Sequence, residues 1–334
     1  MVTYPKVSIC VPVYGVEKYI SKCADSLFKQ TYVNIEYIFV NDKTKDNSIE
    51  VLNSVIEKNP QRKRQISIIE HSINSGLSAA RETAIQHATG TYLMHVDSDD
   101  YLEPNTVLEC VENALKFDAD VVIFGMIHEF KKKTHVFLPE KYRSKQEYLK
   151  AVIRKDIQTG VCGKLYKRSL YIDNNIHCLK GVNFGEDYAV YPRLIYCAGK
   201  ISFIEKPYYH YLRFNESSYT FKFNLNNVEN LKSALNCISD FFKDKALFCE
   251  DLTIARQRIH AWIINYVFSF SNDDNLKWQV VNEIDNHIVI APYLSVNHRI
   301  ILTLAKNRMI RLLNFYIKVI RTLYTWLRPF LNRE

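Results

Sequence analysis

The sequence predicts an α/β fold: a mostly parallel central sheet with helices on both faces, followed by a helical C-terminal region. Three observations carry this. Short apolar runs of β character alternate with helical stretches of roughly 10–15 residues up to about residue 126. Polar and acidic residues follow these runs at the carboxyl ends, where ligands sit in such sheets. Beyond about residue 224 only helical periodicity remains.

Taken in order, Val7-Ser8-Ile9-Cys10-Val11-Pro12-Val13-Tyr14 reads as a buried strand, and Tyr19, Ile20, Cys23, Leu27 and Phe28 fall at helical spacing. Ile35 to Val40 is a second strand, followed by the polar turn Asn41 to Asp46, with Asp46 a candidate cap for a helix through Ile49, Leu52, Val55 and Ile56. A third strand spans Gln65–Glu70, and the helix Leu77–Ala88 is expected to stop at Gly90 as a C-terminal cap. Tyr92 to Val96 is the fourth strand; Pro104 opens the helix Thr106–Lys116, and Asp120–Met126 is the fifth strand. From Ile127 the period weakens. Lys131-Lys132-Lys133 reads as a solvated loop, Ser144–Arg154 as helix, and Ile201–Ile204 and Tyr208–Arg213 as strands. The expected domains are an α/β domain over residues 1–220 and a helical region over 221–334.

Composition excludes several classes. Apolar and charged contents of 47% and 24% are ordinary for a globular chain of 334 residues. The eight cysteines are scattered without C-x-x-C spacing, which argues for free thiols and against a disulfide or zinc framework. Neither a signal peptide nor an apolar run of 18 residues is present, so no spanning helix is expected. The net charge of +8 is concentrated at one end: from Arg299 to Arg333 there are eight Lys/Arg and no acid, which leaves 36 basic and 35 acidic residues in the first 298.

Asp97-Ser98-Asp99-Asp100 places three carboxylates within four residues at a strand exit. Such groups repel one another unless a cation balances them, and Mg²⁺-type ions are usually held by one or two carboxylates together with substrate phosphates. A helix-capping cluster is the simpler alternative, although one cap needs one side chain. Asp42 suits either a ring N–H of a nucleobase or a turn. Arg81, one turn into a helix that follows Asn74-Ser75-Gly76, could aim at a base or a phosphate. Glu186-Asp187 could cap a helix, or supply the acid that a proton-abstracting reaction needs.

Pro12-Val13-Tyr14, Val40-Asn41-Asp42 with Asp46 and Ser48, Asn74-Ser75-Gly76-Leu77-Ser78-Ala79-Ala80-Arg81, Asp97-Ser98-Asp99-Asp100 and Gly185-Glu186-Asp187 together resemble, in order, the inverting family 2 glycosyltransferases, including those of bacterial surface-polysaccharide synthesis. The resemblance covers residues 5–215 and implies a two-lobed nucleotide-sugar-binding domain. By it, Pro12, Tyr14, Asp42 and Arg81 would hold the uracil of a UDP-sugar, Asp97 its ribose, and Asp99 a Mn²⁺ or Mg²⁺ ion. Asp187 would be the catalytic base, with His210 and Arg213 closing over the diphosphate. Gly15, Asn41, Lys43 and Glu82 depart from the family pattern. The implied activity is transfer of a hexose or N-acetylhexosamine to a glycan or lipid-linked acceptor. Nucleotidyl transfer would call for a Gly-rich loop after the first strand, and an inactive membrane-associated scaffold would not call for Asp42, Asp99 and Asp187 together.

The tail over residues 299–331 reads as one basic amphipathic helix. Thr303, Asn307, Arg311, Asn314, Lys318, Arg321, Thr325 and Arg328 form a narrow polar face, and Lys306 and Arg308 stray from it. The broad apolar arc opposite fits an anionic membrane surface, or else packing on preceding helices or a second subunit. No nucleic-acid partner is expected, because the basic face is narrow. The expected location is cytoplasmic, peripheral on the inner face of the cell membrane.

Overall fold

The computed structural model describes residues 4–215 and 224–331, with side chains described as far as residue 323. Two compact units divide the chain: Met1–Val152 with Ile157–Ile238, and Ile153–Asp156 with Ser239–Glu334.

The first unit opens with β1 (Val7–Val13), α1 (Ile20–Phe28), β2 (Ile35–Asn41), α2 (Ser48–Glu57), β3 (Ile66–Glu70), α3 (Leu77–His87), β4 (Tyr92–His95), β5 (Tyr101–Leu102) and α4 (Thr106–Phe117). It continues with β6 (Val121–Glu129), β7 (Thr134–Phe137), α5 (Lys145–Arg154), β8 (Lys164–Lys167), α6 (Ser169–Ile172), α7 (Glu186–Cys197), β9 (Ile201–Leu212) and α8 (Leu225–Phe242). Among the described residues nine strands form one sheet in the order β3-β2-β1-β4-β8-β6-β9-β5, with β7 paired to β6. The expected parallel arrangement holds for β3, β2, β1 and β4. Beyond β4 the sheet is mixed, because β8 runs antiparallel to both β4 and β6 while β9 is parallel to β6.

Every residue of β1 is buried, as a strand covered on both faces requires. Ile9, Val11 and Val13 join Ile20 and Leu27 of α1, Leu52 of α2 and Val111 of α4 in one core cluster. Each such buried side chain contributes roughly 1.5–3 kcal/mol. Ala80 and Ala84 of α3 are buried outside that cluster, and α3 lies against β1 and β2. Pro12, which cannot donate to a ladder, sits beyond the last β1–β4 pair, Cys10 with His95. The strand order reverses at β1, with β2 on one side and β4 on the other, so the crevice at their carboxyl ends is the expected ligand position.

Two boundaries differ from the sequence reading. The first unit runs to Ile238 rather than 220, because the early turns of α8 are tied to the segment before α7: Asn230 Oδ1 accepts from the backbone N–H groups of Asn183 (2.6 Å) and Phe184 (3.2 Å). Gly90 is also not the cap of α3, which ends at His87 with Ala88 already extended. Its N–H donates to Ser8 Oγ at 2.9 Å, and a Cβ there would meet Ser8 Oγ at 2.7 Å and Lys6 O at 2.8 Å. Gly90 therefore permits the close approach of the α3–β4 connection to β1.

The second unit holds α9 (Cys249–Phe270), α10 (Asp274–Asn282), α11 (Val296–Lys306) and α12 (Ile310–Leu331). Buried residues surround α9, including Ile254, Ile259, Ile263, Ile264 and Val267, as befits a central helix. α10, α11 and α12 all pack on it. The tail is two helices, not one. At the break Arg308 takes a left-handed φ of 55°, and its guanidinium donates to the carbonyls of Val281 and Ile284 near the end of α10. Lys306 Nζ likewise donates to Ile288 O at 3.0 Å. The two basic residues that stray from the polar face are thus carbonyl-capping groups.

Gly90→Ala should lower folding stability by about 1–3 kcal/mol through overpacking against β1. Urea unfolding of the variant beside wild type measures it.

Candidate active site

The site lies beyond the carboxyl ends of β1, β2 and β4 and draws its acids from three elements. The Asp97–Asp100 turn is fixed from β9: Asp97 N–H donates to Tyr209 Oη at 3.1 Å, and the same hydroxyl donates to Asp100 Oδ2 at 2.7 Å. Asp100 Oδ1 accepts from Leu212 N–H at 2.9 Å. Asp100 is 1% exposed and braces the turn, and burial together with the charges of Asp99 and Asp97 raises its pKa. Tyr209 carries no motif in the sequence.

Asp99 stands beside this turn with Oδ2 accepting from Asn215 Nδ2 at 2.7 Å. Burial first, and the charge of Asp97 second, push its carboxyl up to about 6. A part-buried carboxylate short of positive charge fits a hard divalent cation. Among the described residues no group of three His, Cys, Asp or Glu side chains is placed to hold a metal alone. A Mg²⁺ or Mn²⁺ ion on Asp99 would need phosphate and water for its remaining ligands.

Arg81 is 2% exposed and faces acids. Its Nη1 donates to Glu186 Oε1 and Asp187 Oδ1, both at 2.7 Å, and its Nη2 donates to Asp97 Oδ1 at 2.8 Å. Three of its five N–H groups thus go to carboxylates, at a residue the sequence reading expects to contact uracil. Its Nε is buried with no hydrogen-bond partner. Glu186 and Asp187 open α7, where acids are favoured. Burial and repulsion from Asp187 push Glu186 up to about 8 against the pull of Arg81. Burial raises Asp187 as well, with Arg81, Lys164 and the Val161 N–H opposing it. The Asp187 side chain is 28% exposed, so it is the more accessible of the pair. Lys164, unmarked in the sequence, is buried on β8; its Nζ donates to Gly160 O and Cys162 O, and burial lowers its pKa to about 8.

The other expected binding residues divide. Tyr14 is 44% exposed at the end of β1, and Pro12 is buried just before it. Asp42 is 3% exposed and already occupied. Oδ1 accepts from Ser75 N–H at 2.7 Å and pairs with His71 Nδ1 at 2.8 Å, and Oδ2 accepts from Gly76 N–H at 2.7 Å. It shapes the pocket by bracing the loop before α3. Asp46 serves the start of α2 as expected, accepting from Ser48 N–H at 3.2 Å. Asn41, in place of an acid, donates to Glu70 Oε2 at 2.6 Å, where a carboxylate would be repelled. His210 is not with the carboxylates. It lies between Glu129 and Glu103, both at 2.8 Å, stacked on Tyr101, because alternation along β9 turns it away from the face that carries Tyr209. Arg213 is exposed, with its guanidinium over the Tyr211 ring.

A mixed sheet with this acid-lined rim marks a nucleotide-sugar transferase type of fold, and residues 8–174 match Glycosyl transferase family 2. The chain belongs to that family. Among curated relatives it is 31% identical to the glycosyltransferase GlyA of Streptococcus pneumoniae over 224 residues, covering 63% of this chain and 31% of GlyA. It is 34% identical to the uncharacterized glycosyltransferase EpsJ of Bacillus subtilis over 191 residues, covering 55% of this chain and 54% of EpsJ. It thus spans between about a third and just over half of these relatives' lengths. The fold is that of S. aureus TarS 1–349 in complex with UDP, with a TM-score of 0.65 at 20% identity over 95% of this chain and 91% of that one.

The folded chain keeps the Glu186 proton to about pH 8, whereas unfolding restores the ordinary value of 4.5. Stability should therefore fall as pH rises between those values. The urea midpoint of Glu186→Gln should decline less than that of wild type from pH 5 to pH 8.

Proposed function

We propose that the chain transfers a sugar from a UDP-sugar to a hydroxyl of a glycan or lipid-linked acceptor with inversion at the anomeric carbon. One observation carries this reading: Arg81 joins the accessible carboxylate of Asp187 to Asp97, whose turn also bears Asp99. A proton acceptor and a donor-side acid pair thereby share one cluster at the sheet's carboxyl rim. Asp187 takes the proton of the acceptor hydroxyl as its oxygen attacks the anomeric carbon from the face opposite the diphosphate. The bond from that carbon to the diphosphate oxygen breaks, and UDP leaves with the electron pair. A divalent ion on Asp99, when bound, would stabilise the charge on the leaving diphosphate. Asp97 faces the ribose, Tyr14 and Pro12 border the base, and Asp42 holds the loop before α3. Arg213 is the open cation that could approach the phosphates. The UDP carried by the TarS chain supports a uridine donor.

The acceptor side is tied to the membrane in the same proposal. Among the described residues no helix is long and apolar enough to cross a bilayer. Much of the tail's apolar arc is interior: Ile301, Leu302, Ala305, Leu313 and Ile317 are all buried in the second unit. What stays open is a row on α12 at successive turns, Leu312, Phe315, Val319 and Leu323, each 37–65% exposed. Exposed Arg311 and Lys318 flank this row on one side. An apolar row bordered by cations and without acids suits an anionic leaflet, and so a lipid-linked acceptor in a surface-polysaccharide pathway. Thr325, Trp326, Leu327 and Arg328 have side chains outside the described residues.

A donor screen for UDP release tests the activity, and pyrophosphate release from a nucleoside triphosphate would overturn it. Asp187→Asn should abolish transfer and still bind UDP, while Asp99→Asn should weaken UDP binding only in the presence of Mn²⁺ or Mg²⁺. Isothermal titration with UDP separates the two, and near-normal turnover by Asp187→Asn would remove the base assignment. For the membrane, Phe315→Ser combined with Val319→Ser should abolish sedimentation with anionic vesicles. Unchanged partitioning of that variant would refute it.

A further inference from the structure

α3 presents three side chains at positions i, i+3 and i+4, and all three reach the segment that delivers Asp187. Ser78 Oγ donates to Leu179 O at 2.8 Å, and Ser78 N–H donates to Asn183 Oδ1 at 3.2 Å. Glu82 accepts from Cys178 N–H at 2.9 Å and pairs with His177 Nδ1 at 2.8 Å. Arg81, between them, holds Glu186 and Asp187. The helix start is fitted to the same segment. Gly76, with a φ of 88°, ends the loop tied to Asp42, and a Cβ there would strike the Asn183 side chain at 2.3 Å. Ser78 and Glu82 thus anchor the backbone of residues 177–183, and Arg81 anchors the carboxylates that follow.

We infer that the Ser78–Arg81–Glu82 face of α3 is a clasp that positions the proton-accepting carboxylate, and that Arg81 is a positioning residue for Asp187, not a reader of the nucleobase. The inference rests on the proposed sugar transfer and on the base role of Asp187. Three features support it beyond the contacts themselves. The guanidinium is buried, and three of its five N–H groups, on both terminal nitrogens, already face carboxylates, which leaves one terminal N–H and the buried Nε–H. Its fork geometry spans two acids of α7 and one of the Asp97 turn, an arrangement a point-charge lysine cannot reproduce. Glu82 stands where the family pattern has Asn, and here its two oxygens serve two groups of the tethered segment. The charged and titratable groups around Asp187 are Arg81 from α3, Asp97 from the β4 exit, Glu186 from α7, Lys164, Tyr166 and Cys162 from β8 and its edge, Tyr171 from α6, and Cys178. Arg81 and Lys164 are the cations among them.

The test uses the full chain with Arg81→Lys and Glu82→Ala, measuring UDP affinity by titration calorimetry and kcat against pH. Arg81→Lys should keep the UDP dissociation constant within about threefold while kcat falls on the order of a hundredfold. Its acid limb should move to higher pH, because a point-charge lysine cannot pair Glu186, Asp187 and Asp97 together, and a less well paired carboxylate holds its proton longer. Glu82→Ala, which touches only the tether, should lower kcat with UDP affinity unchanged. A tenfold or greater loss of UDP affinity in Arg81→Lys, with the acid limb unmoved, would overturn the inference and return Arg81 to the base. Should Arg81→Lys fail to fold, Glu82→Ala decides alone: kcat equal to wild type refutes the clasp. A wild type that releases no UDP with any donor refutes the proposed activity itself, an outcome distinct from both.

Discussion

Everything at the carboxylate rim depends on one guanidinium. Among the described residues Arg81 is the group that hydrogen-bonds Asp97, Glu186 and Asp187 together, joining the turn after β4 to the start of α7. Three acids gathered without a cation would repel one another and take up protons until they lost their charge. Arg81 holds that cluster at a workable charge. Even so the acids outnumber it, and burial together with the charge of Asp187 holds the Glu186 carboxyl well above the ordinary carboxylate range. Protonated Glu186 lowers the local charge and leaves Asp187, the more accessible partner, as the carboxylate suited to accept a proton.

The same rim is divided by function along its length. Toward the second acid group, Asp100 and Tyr209 lock the turn, and Asp99 is left with a raised pKa and one amide donor. A structure whose purpose was packing would not isolate a carboxylate in this way, since burying a charged group without a partner is costly. At the β2 exit the reverse holds: Asp42 has its oxygens filled by Ser75, Gly76 and His71 and acts as a brace. Two aspartates of similar sequence context therefore do different work, one held open and one closed.

In the second unit, packing and surface chemistry separate on a single helix. Leu313 and Ile317 of α12 enter the core around α9, and Leu312, Phe315 and Val319 stay outside. Burial of the first set gives the unit its stability. The second set, beside Arg311 and Lys318, is apolar area that a helix needing only to pack would not keep. The break at Arg308 makes this possible, because the left-handed residue lets α12 leave the line of α11 while its guanidinium satisfies the α10 carbonyls.

The sequence by itself determined the class of fold, the family, the strand and helix succession through Met126 apart from the short β5, and the acids proposed for the site. Those follow from local physics: period-two and period-3.6 burial patterns, and carboxylates too close together to be there for packing. What it could not determine were partners across long separations. Arg81 looked like a free cation in a first helical turn, and only the fold brought it against residues 97, 186 and 187. His210 lay in a promising stretch, yet the alternation of β9 turned it toward Glu103 and Glu129. Tyr209 and Lys164 carried no signal because their roles depend on what faces them. The antiparallel placement of β8, the end of the first unit at Ile238 and the two-helix tail were decided likewise by tertiary packing, where pairing and burial across the whole chain override local pattern.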